Sequence, residues 1–264
     1  MGEVMQSAAW VALVALVFLL AGGVKGVVGL GLPTVSMGVL GLFMPPAQAA
    51  AMLVVPSLVT NLWQLLAGPA FGSLLRRFGL MMAGVFAGTA AGIGFLTSGS
   101  TKWPSVALGA VLVLYALISL FVRGLSVPAR FERVLSPIVG IVTGLLTGAT
   151  GIFVVPAVPY LGALGLGKDE LIQALGLSFT VSTLALAACL VATSSYSIDF
   201  ATQSALAVIP ALAGMFLGQA VRDKLNAQVF RQWFFWAMLT VGVFMVVRAL
   251  WGSDWSSVTP TMRG

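Results

Sequence analysis

Lys25 stands inside the otherwise uncharged stretch AGGVKGVVGLGLP (Ala21 to Pro33). A cation buried at that depth costs at least about 2.5–3.5 kcal/mol on membrane-insertion scales. The apolar segments hold no carboxylate to pair with it, so a bound anion is a natural partner. The plainer alternative is a lysine near an interface that snorkels. Gly26, Gly29 and Gly31 follow it, with Pro33 close behind, and Gly148, Thr150 and Gly151 recur downstream ahead of Pro156. The expected turns fall at Gly26 to Gly31 and at Gly148 to Gly151, each opening a second helix. Non-helical backbone at membrane depth is tolerated where it lines a cavity or is buried in protein. Unpaired N–H groups and the dipole of such a helix start attract an anion. The competing reading is that these glycines only let helices pack closely.

Ser57, Thr60, Asn61 and Gln64 follow i, i+3, i+4, i+7 and share one helix face. A later segment carries Gln173, Ser178, Thr180, Ser182 and Thr183. These side chains could complete the hydrogen bonding of an oxyanion, with Lys25, Asn61, Gln64, Ser178 and Ser182 as candidate ligands. Inter-helix hydrogen bonding is the alternative. Intramembrane Asp, Glu or His relays, usual in cation-coupled pumps, are not apparent, which favours an anionic passenger over a metal or amine. The chain has no His and one cysteine, Cys189, so neither a disulfide framework nor a His/Cys metal site is expected. No nucleophile–base pair, metal cluster or phosphate loop points to an enzyme, and no cofactor is expected.

The elements that position these residues are dictated by composition. Of 264 residues, 59% are hydrophobic and 8% charged, with mean hydropathy +1.08. A soluble domain carries about 25% charged residues, so most of the outer surface must face lipid. The net charge of +6 reads as interfacial bases facing headgroups rather than a nucleic-acid footprint. Apolar runs at roughly 47–67, 79–97, 104–122, 171–193, 201–220 and 229–250 are long enough to span. Two further runs, 8–44 and 134–166, are too long for one helix and rich in Gly and Pro. The first run lacks a positively charged leader, Glu3 being the only charge before Lys25, and reads as a retained span.

The halves repeat. Gly22, Gly26 and Gly29 recur at one constant offset as Gly144, Gly148 and Gly151, and the same offset sets Lys25 on Thr147, Thr60 on Ser182 and Pro56 on Ser178. Gly88 and Gly92 likewise recur as Gly214 and Gly218, two pairs with the spacing of close helix packing. If each glycine-rich run is a hairpin that returns to its starting side, Arg76, Arg77, Arg123, Arg130, Arg133, Lys168, Arg222, Lys224 and Arg231 share one side. Lys102, Arg248 and Arg263 lie opposite. That distribution obeys the positive-inside rule; a single crossing per run would spread the bases almost evenly. The expected fold is an all-α polytopic membrane protein of two inverted repeats, each a glycine-broken helix hairpin plus three transmembrane helices. One transmembrane domain over 1–264 is expected, with repeat 1 at about 8–123 and repeat 2 at about 134–250.

The stretches Ala21 to Pro33, Pro56 to Gly68 (PSLVTNLWQLLAG), Gly144 to Leu161 (GLLTGATGIFVVPAVPYL) and Gln173 to Ala187 (QALGLSFTVSTLALA) resemble the TauE/SafE family of sulfite and organosulfonate exporters. The resemblance covers essentially the whole chain. It implies a multi-pass protein of the bacterial cytoplasmic membrane that moves sulfite or C2 and C3 sulfonates, often outward. By position, the family's glycine motif falls on Gly26, Gly29 and Gly31, its repeat on Gly148 and Gly151, and its Pro-x3-Thr-Asn feature on Pro56, Thr60 and Asn61. Where many members have further glycine, this chain has Phe153-Val154-Val155, so the second half of the site is expected to be partly closed by bulk. The expected partners are a small anion and the lipid bilayer, with no nucleic acid; a homodimer is compatible with the reading. The alternative function is a transporter or channel for another small solute: sulfate, a carboxylate or a metal ion.

Overall fold

The computed structural model describes residues 8–122, 124–222 and 224–251, and all regular structure among them is helical. The helices are α1 (Ala8–Val28), α2 (Leu32–Leu40), α3 (Pro46–Leu66), α4 (Phe71–Leu96), α5 (Lys102–Phe121), α6 (Ala129–Thr150), α7 (Ala157–Gly162), α8 (Lys168–Ala192), α9 (Ile198–Leu206), α10 (Val208–Arg222) and α11 (Ala227–Trp251). Counting α9 and α10 as one span, 8 segments are long and apolar enough to cross a bilayer. In lipid a helix is the only open-ended element that satisfies its own backbone. At Pro56 a neighbour repairs a break in that rule. Pro56, inside α3, has no N–H for the Met52 carbonyl, and the Ser204 hydroxyl of α9 donates to that carbonyl at 2.8 Å while accepting from the Val55 N–H at 3.0 Å.

The breaks fall later than the glycine spacing suggested. The first helix runs unbroken through Gly26 to Val28, and the sixth runs through Gly148 to Thr150. The chain leaves α1 at Gly29 (φ 78°) and enters α2 after Gly31 (φ 109°), with Pro33 in the first turn; α6 closes on Gly151 (φ 74°). These left-handed angles suit glycine, which has no Cβ. Gly26 and Gly148 are instead contact points. A Cβ on Gly26 would lie 2.2 Å from the Met215 carbonyl oxygen of α10, and one on Gly148 would lie 2.4 Å from that of Thr89 in α4. Small residues at such positions let helix backbones touch.

Helix directions follow from who meets whom. Trp10 and Val14 share a groove with Met52, and Lys25 meets Thr60 and Asn61, so α1 and α3 run the same way and α2 carries the chain back between them. Arg77 contacts both Glu132 and Glu170, placing the starts of α6 and α8 at one end, with α7 as the return. Along α1 and α10 contacts advance in step, from Gly22 and Ala211 to Gly26 and Met215; α4 and α6 do the same, from Gly84 and Pro137 to Gly92 and Leu145. By contrast α3 and α8 are antiparallel, with Leu65 by Gly176 and Asn61 by Thr183. So are α5 and α11, with Gly109 by Gly242 and Tyr115 by Phe235.

Exchanging each element for its counterpart in the other half leaves these pairings unchanged. A groove at the start of α1 is lined by Trp10, Val11, Val14, Gln203 and Leu206. Position for position it matches one at the start of α6, lined by Glu132, Arg133, Ser136, Arg77 and Leu80. The first is apolar but for Gln203. The second holds a bidentate Arg77–Glu132 pair, Nε–Oε1 at 2.6 Å and Nη2–Oε2 at 2.9 Å.

Candidate functional site

Lys25 lies in the last turn of α1, where a cation also complements the carbonyl end of the helix dipole. Its side chain is 4% exposed, and Thr60 and Asn61 are fully buried. The ammonium donates to Thr60 Oγ1 at 3.0 Å and to Asn61 Oδ1. Thr60 is turned toward them because its own hydroxyl donates to the Pro56 carbonyl at 2.8 Å. Asn61 passes the connection on: its Nδ2 donates to Thr183 Oγ1 at 3.1 Å, and the Thr183 hydroxyl donates to the Phe179 carbonyl at 2.7 Å. Thr183 occupies in α8 the place that Asn61 occupies in α3, so the two halves join at equivalent residues. The chain α1–α3–α8 therefore meets at a charged, hydrogen-bonded node.

Lys25 is the one charged side chain among the buried described residues. Among those residues no carboxylate lies within ion-pair distance of it, the ion pairs being those of Arg77. Two of its three protons have neutral oxygen acceptors, and the third has none among the described residues. An ammonium held only by neutral dipoles in a low-dielectric interior is undercompensated.

The other sequence-selected residues divide. Ser178 and Ser182 lie on α8, fully buried, each with a hydroxyl lacking a partner among the described residues; Ser57 on α3 is in the same condition. Gln64 donates from Nε2 to the Ile172 carbonyl at 3.0 Å, leaving its Oε1 buried and unpaired. Gly29 and Gly31 form the first interruption, which Val24 and Phe234 border at Gly31. Gly151 lies under Met37 of α2, and Thr150 turns to its own helix, donating to the Leu146 carbonyl at 2.7 Å. The second interruption is apolar: Ile152, Phe153 and Val154 are fully buried and Phe153 packs on Phe179, ring centroids 5.5 Å apart. Its following helix, α7, is only 6 residues long and starts after Pro156. The second interruption is thus closed by bulk and does not repeat the first. Gln173, grouped with the polar face in sequence, is a strap: Nε2 donates to the Leu65 carbonyl at 2.8 Å and Oε1 accepts from the Ala70 N–H at 2.8 Å.

Sequence reasoning passed over Thr183 as a partner of Asn61, although the repeat offset pairs them. It passed over Ser204 as well; the signal there was Pro56, four residues past a carbonyl that needed a donor. With this geometry in view, a family model described as Sulfite exporter TauE/SafE matches residues 14–245. No curated protein and no solved structure matches.

Proposed function

This chain belongs to the sulfite exporter TauE/SafE family, a family of membrane transporters rather than enzymes, and from that membership we propose that it exports sulfite or a C2 or C3 organosulfonate across the bacterial cytoplasmic membrane. The carrying observation is Lys25, a buried ammonium with neutral oxygens around it and no carboxylate. In this reading the anion supplies the missing charge at the node of α1, α3 and α8. The free hydroxyls of Ser178 and Ser182 and the Asn61 and Gln64 amides line its path, and Gly29, Gly31 and Gly151 let the chain turn around it. Gly26, Gly148 and Thr150 hold those turns in place through helix packing and capping.

The antiparallel pairing of α3 with α8 and of α5 with α11 supports a two-fold axis lying in the membrane plane, so that repeat 2 is repeat 1 turned over. Arg76, Arg77, Arg130, Arg133, Lys168, Arg222, Lys224 and Arg231 fall at the end where α3 and α5 finish. That end is assigned to the cytoplasm by the positive-inside rule. Arg123 and Arg263 lie outside the described residues. Rocking of one half against the other about the Asn61–Thr183 contact would expose the node to each face in turn. Counterflow in proteoliposomes tests the assignment: sulfite and small sulfonates exchange, and divalent metals do not. Saturable metal uptake that sulfonates leave untouched contradicts it.

A further inference from the structure

We propose that the site is built for one negative charge and not two, so that it takes sulfonates and hydrogensulfite and rejects sulfate and the sulfite dianion. The inference rests on the anion-transport reading above and adds the charge state of the passenger. It comes from comparing the node with its own counterpart. In the first half, Lys25 reaches Thr60 and Asn61. In the second, the equivalent positions are Thr147, Ser182 and Thr183. Thr147 is fully buried and too short to reach across; its hydroxyl donates to the Thr143 carbonyl of its own helix at 2.7 Å. Ser182, which stands where Thr60 accepts from Lys25, is left with a buried hydroxyl and no partner. One receiving group for a second ammonium, the Ser182 hydroxyl, stands unused, Thr183 being engaged by Asn61 and Phe179, and the ammonium itself is absent.

A singly charged anion therefore neutralises the node, and the unpaired hydroxyls of Ser182, Ser178 and Ser57 remain as neutral donors to its oxygens. A dianion on the same site leaves one uncompensated charge in the bilayer interior. Sulfate is therefore expected to compete on the order of a hundredfold more weakly than methanesulfonate, the factor that one buried charge carries on insertion scales.

The test is competition counterflow in proteoliposomes, with methanesulfonate as the exchanging anion and sulfate or unlabelled methanesulfonate as competitor. Wild-type protein should discriminate by the factor above. Thr147→Lys, which sets an ammonium against Ser182, should improve sulfate competition relative to methanesulfonate by at least about tenfold. Equal competition by the two anions in the wild type overturns the charge selection while leaving anion transport standing. Absence of exchange with methanesulfonate and with sulfite alike overturns the transport reading and this inference with it, whereas exchange of sulfite without methanesulfonate overturns this inference alone. A folded Thr147→Lys protein with an unchanged ratio removes Thr147 as the determinant, and if that variant does not fold the wild-type ratio still decides.

Discussion

At the scale of single residues, the proposed role of the node rests on Lys25 having only neutral partners among the described residues. Replacing Asn61 by Asp sets a carboxylate on the atom that now accepts from Lys25. An internal partner then competes with the passenger. Hydrogen bonds to charged groups are worth about 1.5–3 kcal/mol, so methanesulfonate affinity should fall about tenfold to a hundredfold, read by binding to purified protein. Thermal stability of that variant should hold or rise. Ser204 is the opposite kind of residue, structural and remote from the charge. Ser204→Ala orphans the Met52 carbonyl beside Pro56, and should lower stability by about 0.6–1.7 kcal/mol with transport retained; an unchanged melting temperature would count against the repair. Lys25 was legible in the sequence because a lone cation in an apolar run is expensive. Its partners were legible only as a polar face. Which of those hydroxyls and amides face Lys25, and which serve a proline or a helix end, depends on α8 crossing α3, and no local pattern records a crossing.

Among the elements, two tasks fall to glycine, and sequence spacing alone did not separate them. Gly144 meets the Val85 carbonyl oxygen at 2.1 Å from an ideal Cβ. Leucine there must wedge α6 from α4, costing about 1–3 kcal/mol or more by overpacking; yield of folded protein and melting temperature are the readouts. Gly29 has open space around its missing Cβ but a φ of 78°, so Gly29→Ala should cost only the roughly 1–2 kcal/mol of a left-handed backbone. Equal, severe losses at both positions would mean that the two tasks are not distinct. Helix existence was legible throughout because apolar length decides it. The placement of the breaks was not. A glycine two residues before the end of α1 looks the same in sequence whether it bends the chain or touches α10, and only the partner backbone distinguishes them. The apolar second interruption was signalled by Phe153-Val154-Val155.

For the molecule as a whole, the inverted arrangement was read from charge placement, and the helix directions are the ground on which it is proposed. Single cysteines at positions 46 and 168 start α3 and α8, which run in opposite directions, and membrane-impermeant labelling should reach them from opposite sides; labelling from one side would contradict the arrangement. The grooves at the two ends are equivalent in position and different in chemistry, with Trp10 and Gln203 at one and Glu132 and Arg77 at the other. The two halves thus share their helix pairing and differ in side chains, and the lysine on one side only is part of that difference. The most direct measurement is sulfite and methanesulfonate exchange in proteoliposomes by the wild type and by Lys25→Met, with folding checked by melting temperature. The account predicts a folded variant whose exchange falls by at least about tenfold for want of the counter-charge. A folded Lys25→Met protein that exchanges both anions at the wild-type rate would contradict it.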